Sequence, residues 1–379
     1  MNELSLPNQS GIVTEKISED KLTVSIGPQH PGAGHFRFTI TVEGDTIVDC
    51  IPDPGYVHRG AEKQTEYRNY LQSIPMLERS SLTDVTNIIT PYSMAAEELM
   101  GIQIHPRSQY LRMIMSENQR IISHLYWLGI QGIFLGHSTM FMWPLGDREI
   151  FIDLGQMIGG ARITYSYSIP GGVRNDMPEN FKDRALKVFD YFEKRLKDYE
   201  RIFFDNPLFL KRTQGVGVLP RDEAIRLGVV GPVLRASNVK SDVRIDEPYC
   251  FYKDMDFEIP VFSECDTYAR CMVHLIEMRQ SMRIIKQCLE KMPQGPVRVK
   301  LSPQQRTQVG EAYARVESSR GAMAFHIISD GSTKPYRVKI SVPSFRNLIA
   351  LPRLLIGSHV ADMPAIYWSL DYWPVEADR

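Results

Sequence analysis

The chain has 379 residues, 43% hydrophobic and 23% charged, the balance of an ordinary globular protein with length for a large core or a main domain plus a smaller lobe. Its 44 basic and 45 acidic residues leave a net charge of −1, which argues against a nucleic-acid footprint or an acidic tail. The five cysteines (Cys50, Cys250, Cys265, Cys271 and Cys288) are an odd, scattered set that argues against a disulfide framework and for a reducing compartment, and no two form a C-x-x-C pair.

The opening MNELSLPNQSGIVTEK has no basic stretch followed by an apolar one, so no signal peptide is expected. Strand-like alternation follows at Leu22–Ile26, Phe36–Val42 and Ile47–Ile51, with Glu43-Gly44-Asp45 as a hairpin turn. Between the first two lies Gly27-Pro28-Gln29-His30-Pro31-Gly32-Ala33-Gly34-His35. Two prolines and three glycines set an unusual backbone path there, with two imidazoles at its turn. Imidazole titrates near neutral pH, so the loop suits proton donation or metal ligation; a stiff hairpin with solvated histidines fits it equally. The run Gly55–Lys63, with Tyr67–Gln72 and Glu78-Arg79 after it, gathers arginines and aromatics. That suits a planar or anionic group, or a solvated helix face.

Apolar residues at Leu111, Ile114, Ile121, Leu125 and Leu128 predict a helix over Arg107–Leu128. From Ile121 to Gly146 no charged residue occurs, but Gly129, Gln131, Gly132, Gly136, His137, Ser138 and Pro144 interrupt the run. It reads as a buried helix, a turn and the start of a second helix, not as a membrane span, with His124 and His137 as hydrogen-bonded core histidines. Gly171-Gly172-Val173-Arg174-Asn175-Asp176-Met177-Pro178 allows close backbone approach without either nucleotide-binding glycine motif. Phe181–Phe204 predicts an amphipathic helix, and Asp266–Lys291 another, with Arg270, Arg279, Arg283 and Lys286 on its other faces. Lys291–Pro296 is the best candidate linker. Strands return at Ala312–Val316, Ala322–Ile328 and Tyr336–Ser341, followed by apolar segments Phe345–Ile356 and His359–Leu370. The end, Ser369–Arg379, either frays or is buried through ion pairs.

This makes a helix-rich α+β chain: a β-rich lobe over 1–55, a helical core over 56–291 and an α+β segment over 292–379 that completes the core. No H-E-x-x-H, G-x-S-x-G or metal-ligand spacing of cysteine and histidine occurs.

The loops match one family in order. They read G-P-Q-H-P at 27–31, G-Y-V-H-R-G-A-E-K at 55–63, R-N-Y-L-Q at 68–72, G-G-V-R-N-D-M-P at 171–178 and G-P-V-L-R-A-S at 231–237. E-M-R-Q-S at 277–281, S-D-G-S at 329–332, P-Y-R-V-K at 335–339, V-A-D-M at 360–363 and the D-R end continue the series. From about residue 20 on, the chain resembles the 49 kDa (D-type) family of complex I, with features similar to its archaeal deazaflavin-linked members. The resemblance implies the helical core of nickel–iron hydrogenase large subunits, flanked by small N-terminal and C-terminal sheets. In those distant relatives paired C-x-x-C motifs hold the metals. Here the matching stretches, Glu78–Thr83 and Leu370–Arg379, contain no cysteine, and a soft-metal hydrogenase site is excluded.

By the same resemblance the chain is a peripheral-arm subunit of a membrane-bound, ion-pumping oxidoreductase fed by NADH, a reduced deazaflavin or ferredoxin. No cofactor is expected on this chain alone. It would face a 4Fe–4S cluster in a small iron–sulfur partner (B-like in complex I) and wall a cavity for a quinone or quinone-like carrier. C-like and ferredoxin-like peripheral subunits and a membrane arm with an H-like protein are the other implied partners. They would hold it at the cytoplasmic face of the membrane without a transmembrane helix of its own. The implied cavity residues are Pro28, Gln29, Leu82 and Phe134, with His30 and His35 as proton donors; Arg79, Arg162 and Thr164 would face the cluster.

Four departures mark the carrier site. The family's H-P-S-T-H-G reads H-P-G-A-G-H-F, which leaves open whether His35 takes the place of the second, quinone-facing histidine. The family's R-x-D-Y reads Arg79-Ser80-Ser81-Leu82, its acidic partner of that histidine aligns with Phe134, and a histidine near the cluster is Thr164. These changes imply a more apolar cavity. A scaffold that binds no acceptor is the alternative, favoured by Leu82 where the headgroup tyrosine would stand.

Overall fold

The computed structural model describes residues 11–18, 20–32, 34–302 and 304–379. The N-terminal segment read for a signal peptide lies, as far as residue 10, outside the described residues, as does Ala33 of the histidine loop.

Four antiparallel strands, β1 (Ile12–Lys16), β2 (Lys21–Ile26), β3 (Arg37–Glu43) and β4 (Thr46–Asp53), form a meander in that order. In β3 the alternation is strict: Phe38, Ile40 and Val42 are buried while Arg37, Thr39 and Thr41 are not. Strand β1 was not anticipated: in its IVTEK only Ile12 packs against the core, and Thr14, Glu15 and Lys16 are outside it. Phe36 and Phe38 carry the sheet onto Tyr367, with ring centroids 5.9 and 5.5 Å apart.

The helical layer begins with α1 (Ala61–Thr65), α2 (Tyr70–Leu77) and α3 (Val85–Met100), then α4 (Pro106–Phe134), α5 (Ser138–Gly159) and α6 (Phe181–Tyr199). The longest remaining helix is α7 (Thr267–Lys291), capped by the Asp266 carboxylate, which accepts from the Ala269 N–H at 2.8 Å. Helix α4 packs along both α5 and α7 and is buried on every side. No single apolar stripe therefore describes it: Leu111, Ile114, Leu125 and Leu128 are buried, and so are Arg112, Glu117 and Arg120. The uncharged stretch divides as expected: α4 stops at Phe134, Gly136 turns the chain at φ 77°, and α5 starts at Ser138. Gly132 is needed there, since a Cβ would sit 2.7 Å from the Met140 Cβ. No helix among the described residues is long and apolar enough to cross a membrane.

A β5–β6 hairpin (Ser168–Ile169 and Gly172–Val173) and a second sheet of β7 (Val309–Ser318), β8 (Gly321–Asp330) and β9 (Arg337–Ser341), antiparallel in that order, complete the α+β architecture. Helix α3 lies on β7 and β8. Its sequence shows no clean period because Val85, Asn87, Ile88, Ile89, Thr90, Tyr92, Ala95 and Ala96 are all buried.

The expected helical run Phe181–Phe204 is helical throughout, α-helical in α6 to Tyr199 and π-helical over Glu200–Phe204. Two expectations need correction. Arg270 is not on an outer face of α7; it is fully buried, donating to the Ser369 hydroxyl and the Gly217 carbonyl at 2.8 Å each. His137 is half-buried and caps α5, its Nδ1 accepting from the Met140 N–H at 3.2 Å, whereas His124 is a core histidine as expected. The candidate linker is tied down: the Pro293 carbonyl accepts from Arg107 at 3.0 Å, and Val297 accepts from the Val173 N–H at 3.0 Å.

At the chain end, burial through polar contacts is the outcome. Helices α8 (Met363–Ser369) and α9 (Pro374–Asp378) lead to an Asp378 carboxylate that accepts from the Gly55 and Val57 N–H groups at 2.9 and 3.0 Å. Arg379 reaches Glu62 at 3.5 Å.

Candidate functional site

The β2–β3 loop holds Pro28, Gln29, His30 and His35. His30 is partly buried, and its Nδ1 accepts from the Gly32 N–H at 3.2 Å. In neutral imidazole that places the proton on Nε2, leaving an N–H donor for a second partner. Gly32 fits between two rings, because a Cβ there would meet Phe134 Cε1 at 3.1 Å and His30 Cε1 at 3.3 Å. The fold thus brings His30 and Phe134 together across 104 positions of chain, one on a loop and the other at the end of α4. His35 is exposed and left-handed at φ 67°, and Pro28 follows a cis Gly27–Pro28 bond. Gln29 is exposed; its carbonyl oxygen lies 2.7 Å from where a Cβ on Gly11 would stand.

On the same side lie the two stretches that would carry thiolates in a hydrogenase. Gly34 abuts Pro374 of α9 at 3.8 Å from a built Cβ, and Glu376 of α9 accepts from the Ser81 hydroxyl at 2.8 Å. Ser81 and Ser80 are fully buried, while Leu82 turns outward at 38% exposure. Arg320 joins the stretches: its Nη2 donates to the Thr83 hydroxyl at 2.7 Å, its Nε to the Asp371 carbonyl at 2.8 Å, and Nη1 lies 3.5 Å from Glu376. A guanidinium and two carboxylates therefore fill this junction. One cation serves both Asp371 and Glu376, with Asp84 also near, so burial and the excess of negative charge push the Asp371 carboxyl up to about 7.

The expected cluster-facing residues lie on neighbouring loops. Glu78 accepts from the Ser166 N–H and hydroxyl at 2.8 and 3.0 Å, stitching the segment of Arg79 to that of Thr164. Burial raises the Glu78 carboxyl above the usual range despite those bonds. Arg79 is half exposed; it donates to the Pro75 carbonyl, with Glu78 at 3.8 Å. Thr164 is partly buried. Arg162 is paired on its own helix side, with Glu149 and, at 3.3 Å, with Asp153 of α5.

Sequence reading missed the charges inside the core. Arg235 has Glu277 at 2.5 Å, Glu317 at 2.8 Å and Asp242 at 3.5 Å; Arg244 has Asp242 at 2.7 Å and Glu117 at 3.1 Å. All are buried. Burial, then the neighbouring Asp242, raises Glu317 to about 6, whereas Arg120 and Arg244 outweigh burial and hold Glu117 down at about 2. The signal was faint: Glu277 and Arg235 stood within two of the motifs, but nothing in their spacing shows that they meet. His274 was missed too. His124, His274 and Asp371 bring one ligating atom each within 4.8 Å of one another.

The model of the 49 kDa subunit of respiratory-chain NADH dehydrogenase matches residues 135–308 and 299–379. The D-type subunit of F(420)H(2) dehydrogenase from Methanosarcina mazei is 42% identical over 372 residues, covering 96% of this chain and all of that one. The D-type subunit of NADH-quinone oxidoreductase from Desulforamulus reducens is 41% identical over 363 residues, covering 96% and 99%. Among solved structures, a chain of the membrane-bound sulfane sulfur reductase, an archaeal respiratory membrane complex, superposes with a TM-score of 0.93 at 37% identity, covering 96% of this chain and all of that one.

Proposed function

The chain belongs to the family of the 49 kDa subunit of respiratory-chain NADH dehydrogenase, and we propose that it is the peripheral-arm subunit that walls the carrier cavity of a membrane-bound, ion-pumping oxidoreductase. Electrons arrive through a 4Fe–4S cluster in a small iron–sulfur partner and leave onto a quinone or quinone-like carrier held between the two chains. The observation that supports this reading is that Gly32 sits between His30 and Phe134, while Gly34 of the same loop abuts Pro374 of α9, whose Glu376 accepts from Ser81, the neighbour of Leu82. His30 supplies a proton donor there, and Phe134 and Leu82 supply apolar wall, the composition of a site for a planar hydrophobic ring with few polar contacts. Arg79 and Thr164, stitched together by Glu78, make the neighbouring face toward the cluster.

Leu82 favours a second reading. It offers no hydroxyl to a headgroup, as suits a scaffold that binds no acceptor. One experiment separates the two: photolabelling of the native complex, captured through a tag on this chain, with an azido-naphthoquinone. Labelled peptides containing His30, Leu82 or Phe134 support the cavity; label confined to other subunits supports the scaffold. Mass spectrometry of the same preparation identifies the partners, with a small iron–sulfur subunit and antiporter-like membrane subunits expected. Recovery of the chain alone would refute membership of such an assembly.

A further inference from the structure

Behind the junction of Arg320 and Asp371, two histidines and a carboxylate meet from three elements: His124 of α4, His274 of α7 and Asp371, just past α8. All three are fully buried, and they bring one ligating atom each within 4.8 Å of one another. His124 Nε2 lies 2.9 Å from the Glu277 carboxylate. Arg235, at 2.5 Å, keeps that carboxylate ionised, well below the usual range although burial opposes it. The His124 proton therefore belongs on Nε2, donated to Glu277, and Nδ1 presents a bare lone pair. An imidazole fixed by a carboxylate on one nitrogen and bare on the other is the usual state of a metal-binding histidine. Asp371 is divided likewise: Oδ1 faces Arg320 at 3.3 Å, and Oδ2 is buried without a hydrogen-bond partner. His274 has the His124 ring on Nδ1, at 3.1 Å, and no hydrogen-bond partner on Nε2, while Trp127 stacked at 4.2 Å holds its ring in place.

The two imidazoles do not make a straight hydrogen bond. Their ring centres are 4.6 Å apart and their planes 81° apart, whereas a linear N–H···N bond of 3.1 Å would put the centres at roughly 5.4 Å. Two imidazole nitrogens on one tetrahedral zinc ion, at about 2.05 Å each, stand about 3.3 Å apart, close to the spacing seen. Charge gives a second, independent argument. Asp84, Glu277, Asp371 and Glu376 act on the cluster with two guanidiniums among them, Arg235 and Arg320. Arg235 is shared with Glu317 at 2.8 Å, and Arg120, the next cation, is spent on Glu117 at 3.1 Å. Asp84 and Glu376 are otherwise met by hydroxyls and backbone N–H groups, which satisfy hydrogen bonding but cancel no charge. Burial holds both histidines below the ordinary imidazole range, hence neutral. Two negative charges thus stand uncompensated in the core, matching one divalent cation.

We propose that His124, His274 and Asp371 bind one zinc ion, which ties α4, α7 and the chain-end stretch together behind the junction. Imidazole nitrogen selects zinc over magnesium and calcium, which take oxygen, and zinc tolerates a dry, closed site because it has no redox chemistry of its own. The Asp371 carboxylate closes in by about 1 Å to complete three ligands, with the fourth position left to water. In the metal-free chain, burial and the same excess of negative charge push the Asp371 carboxyl up to about 7; the ion displaces that proton.

Such a site is independent of the carrier cavity, and so is its test. The native complex, captured through a tag on this chain from cells grown with added zinc, is analysed for zinc by mass spectrometry of the elements. His274→Gln and Asp371→Asn should each carry one zinc fewer per copy of this chain than the parent. His274→Cys should keep it, because a thiolate also ligates zinc. X-ray absorption at the zinc edge should show nitrogen and oxygen ligands with imidazole scattering in the parent, and one sulfur gained in His274→Cys. Absence of zinc from the parent, equal zinc in the parent and in His274→Gln and Asp371→Asn, or a parent spectrum made up of sulfur ligands overturns the proposal. Where a variant fails to assemble, the zinc content and spectrum of the parent decide alone.

Discussion

Breaking the Arg112–Glu97 pair tests how the core tolerates its internal charges. Glu97 on α3 accepts from Arg112 Nη2 at 2.5 Å and Nη1 at 3.0 Å, and from the Gly171 N–H at 2.8 Å. Arg112 on α4 also donates to the Gly172 and Ile169 carbonyls at 2.9 and 2.8 Å. One ion pair thus fastens α3, α4 and the β5–β6 hairpin, with both side chains under a tenth exposed. Replacing Arg112 by Leu leaves an ionised carboxylate in the core with a single remaining donor, and loss of one partner from a buried pair costs about 3–5 kcal/mol. Replacing Glu97 by Leu strands the guanidinium, which keeps its carbonyls, so the loss should fall at the lower end of that range. With both replaced, no buried charge remains, and only the Gly171 N–H and two carbonyls lack partners. The double variant should therefore lie well above the sum of the singles, by about 2–3 kcal/mol of coupling. Urea unfolding of the four proteins, followed by tryptophan fluorescence, measures it. Additive losses would refute the claim that the pair matters through the stranded charge.

Four further outcomes follow from the geometry. His30→Ala should leave the complex assembled and lower carrier reduction by about 10²-fold, the usual worth of a positioned proton donor; unchanged turnover removes this histidine from the chemistry. Gly231→Ala should cost several kcal/mol, because a Cβ would lie 2.3 Å from the Arg320 carbonyl oxygen, whereas Gly228→Ala, at a similar positive φ but in open space, should cost about 1 kcal/mol; equal losses in thermal melts would discard the close-approach argument. Asp378→Ala should strand the Gly55 and Val57 N–H groups and cost about 2 kcal/mol, with faster carboxypeptidase trimming of the end; undiminished resistance to trimming would refute it. The Asp371 carboxyl, raised from 3.8 to about 7 in the folded chain, favours the folded state fully below pH 3.8. That stability is lost as pH rises through about 7, on the order of 4 kcal/mol in all; an Asp371→Asn protein with the same pH slope of stability as the parent would contradict it.

Elements that bury one face were legible. Strand β3 alternates, α7 keeps its apolar steps from Met272 to Leu289, and glycines break the uncharged stretch where α4 turns into α5. Helix α3 was not legible, because burial on all sides erases the period that marks a helix. Arg270 misled for a related reason: a charged residue on a helix reads as outward, and only neighbours such as Ser369 and the Gly217 carbonyl let it turn inward.

The candidate site divides in the same way. Its histidine loop, its apolar substitutions at Leu82 and Phe134 and its missing cysteines are properties of short segments, so residue order alone determined them, and with them the family. What only the tertiary structure decided is which distant segments meet: Gly32 against Phe134, Ser81 on Glu376, Arg320 bridging Thr83 to Asp371, and His124 on His274. Local spacing encodes which face of one element is apolar. A buried charge becomes tolerable only through partners placed by the fold, as Arg235 meets Glu277 from 42 positions away and Arg244 meets Glu117 from 127.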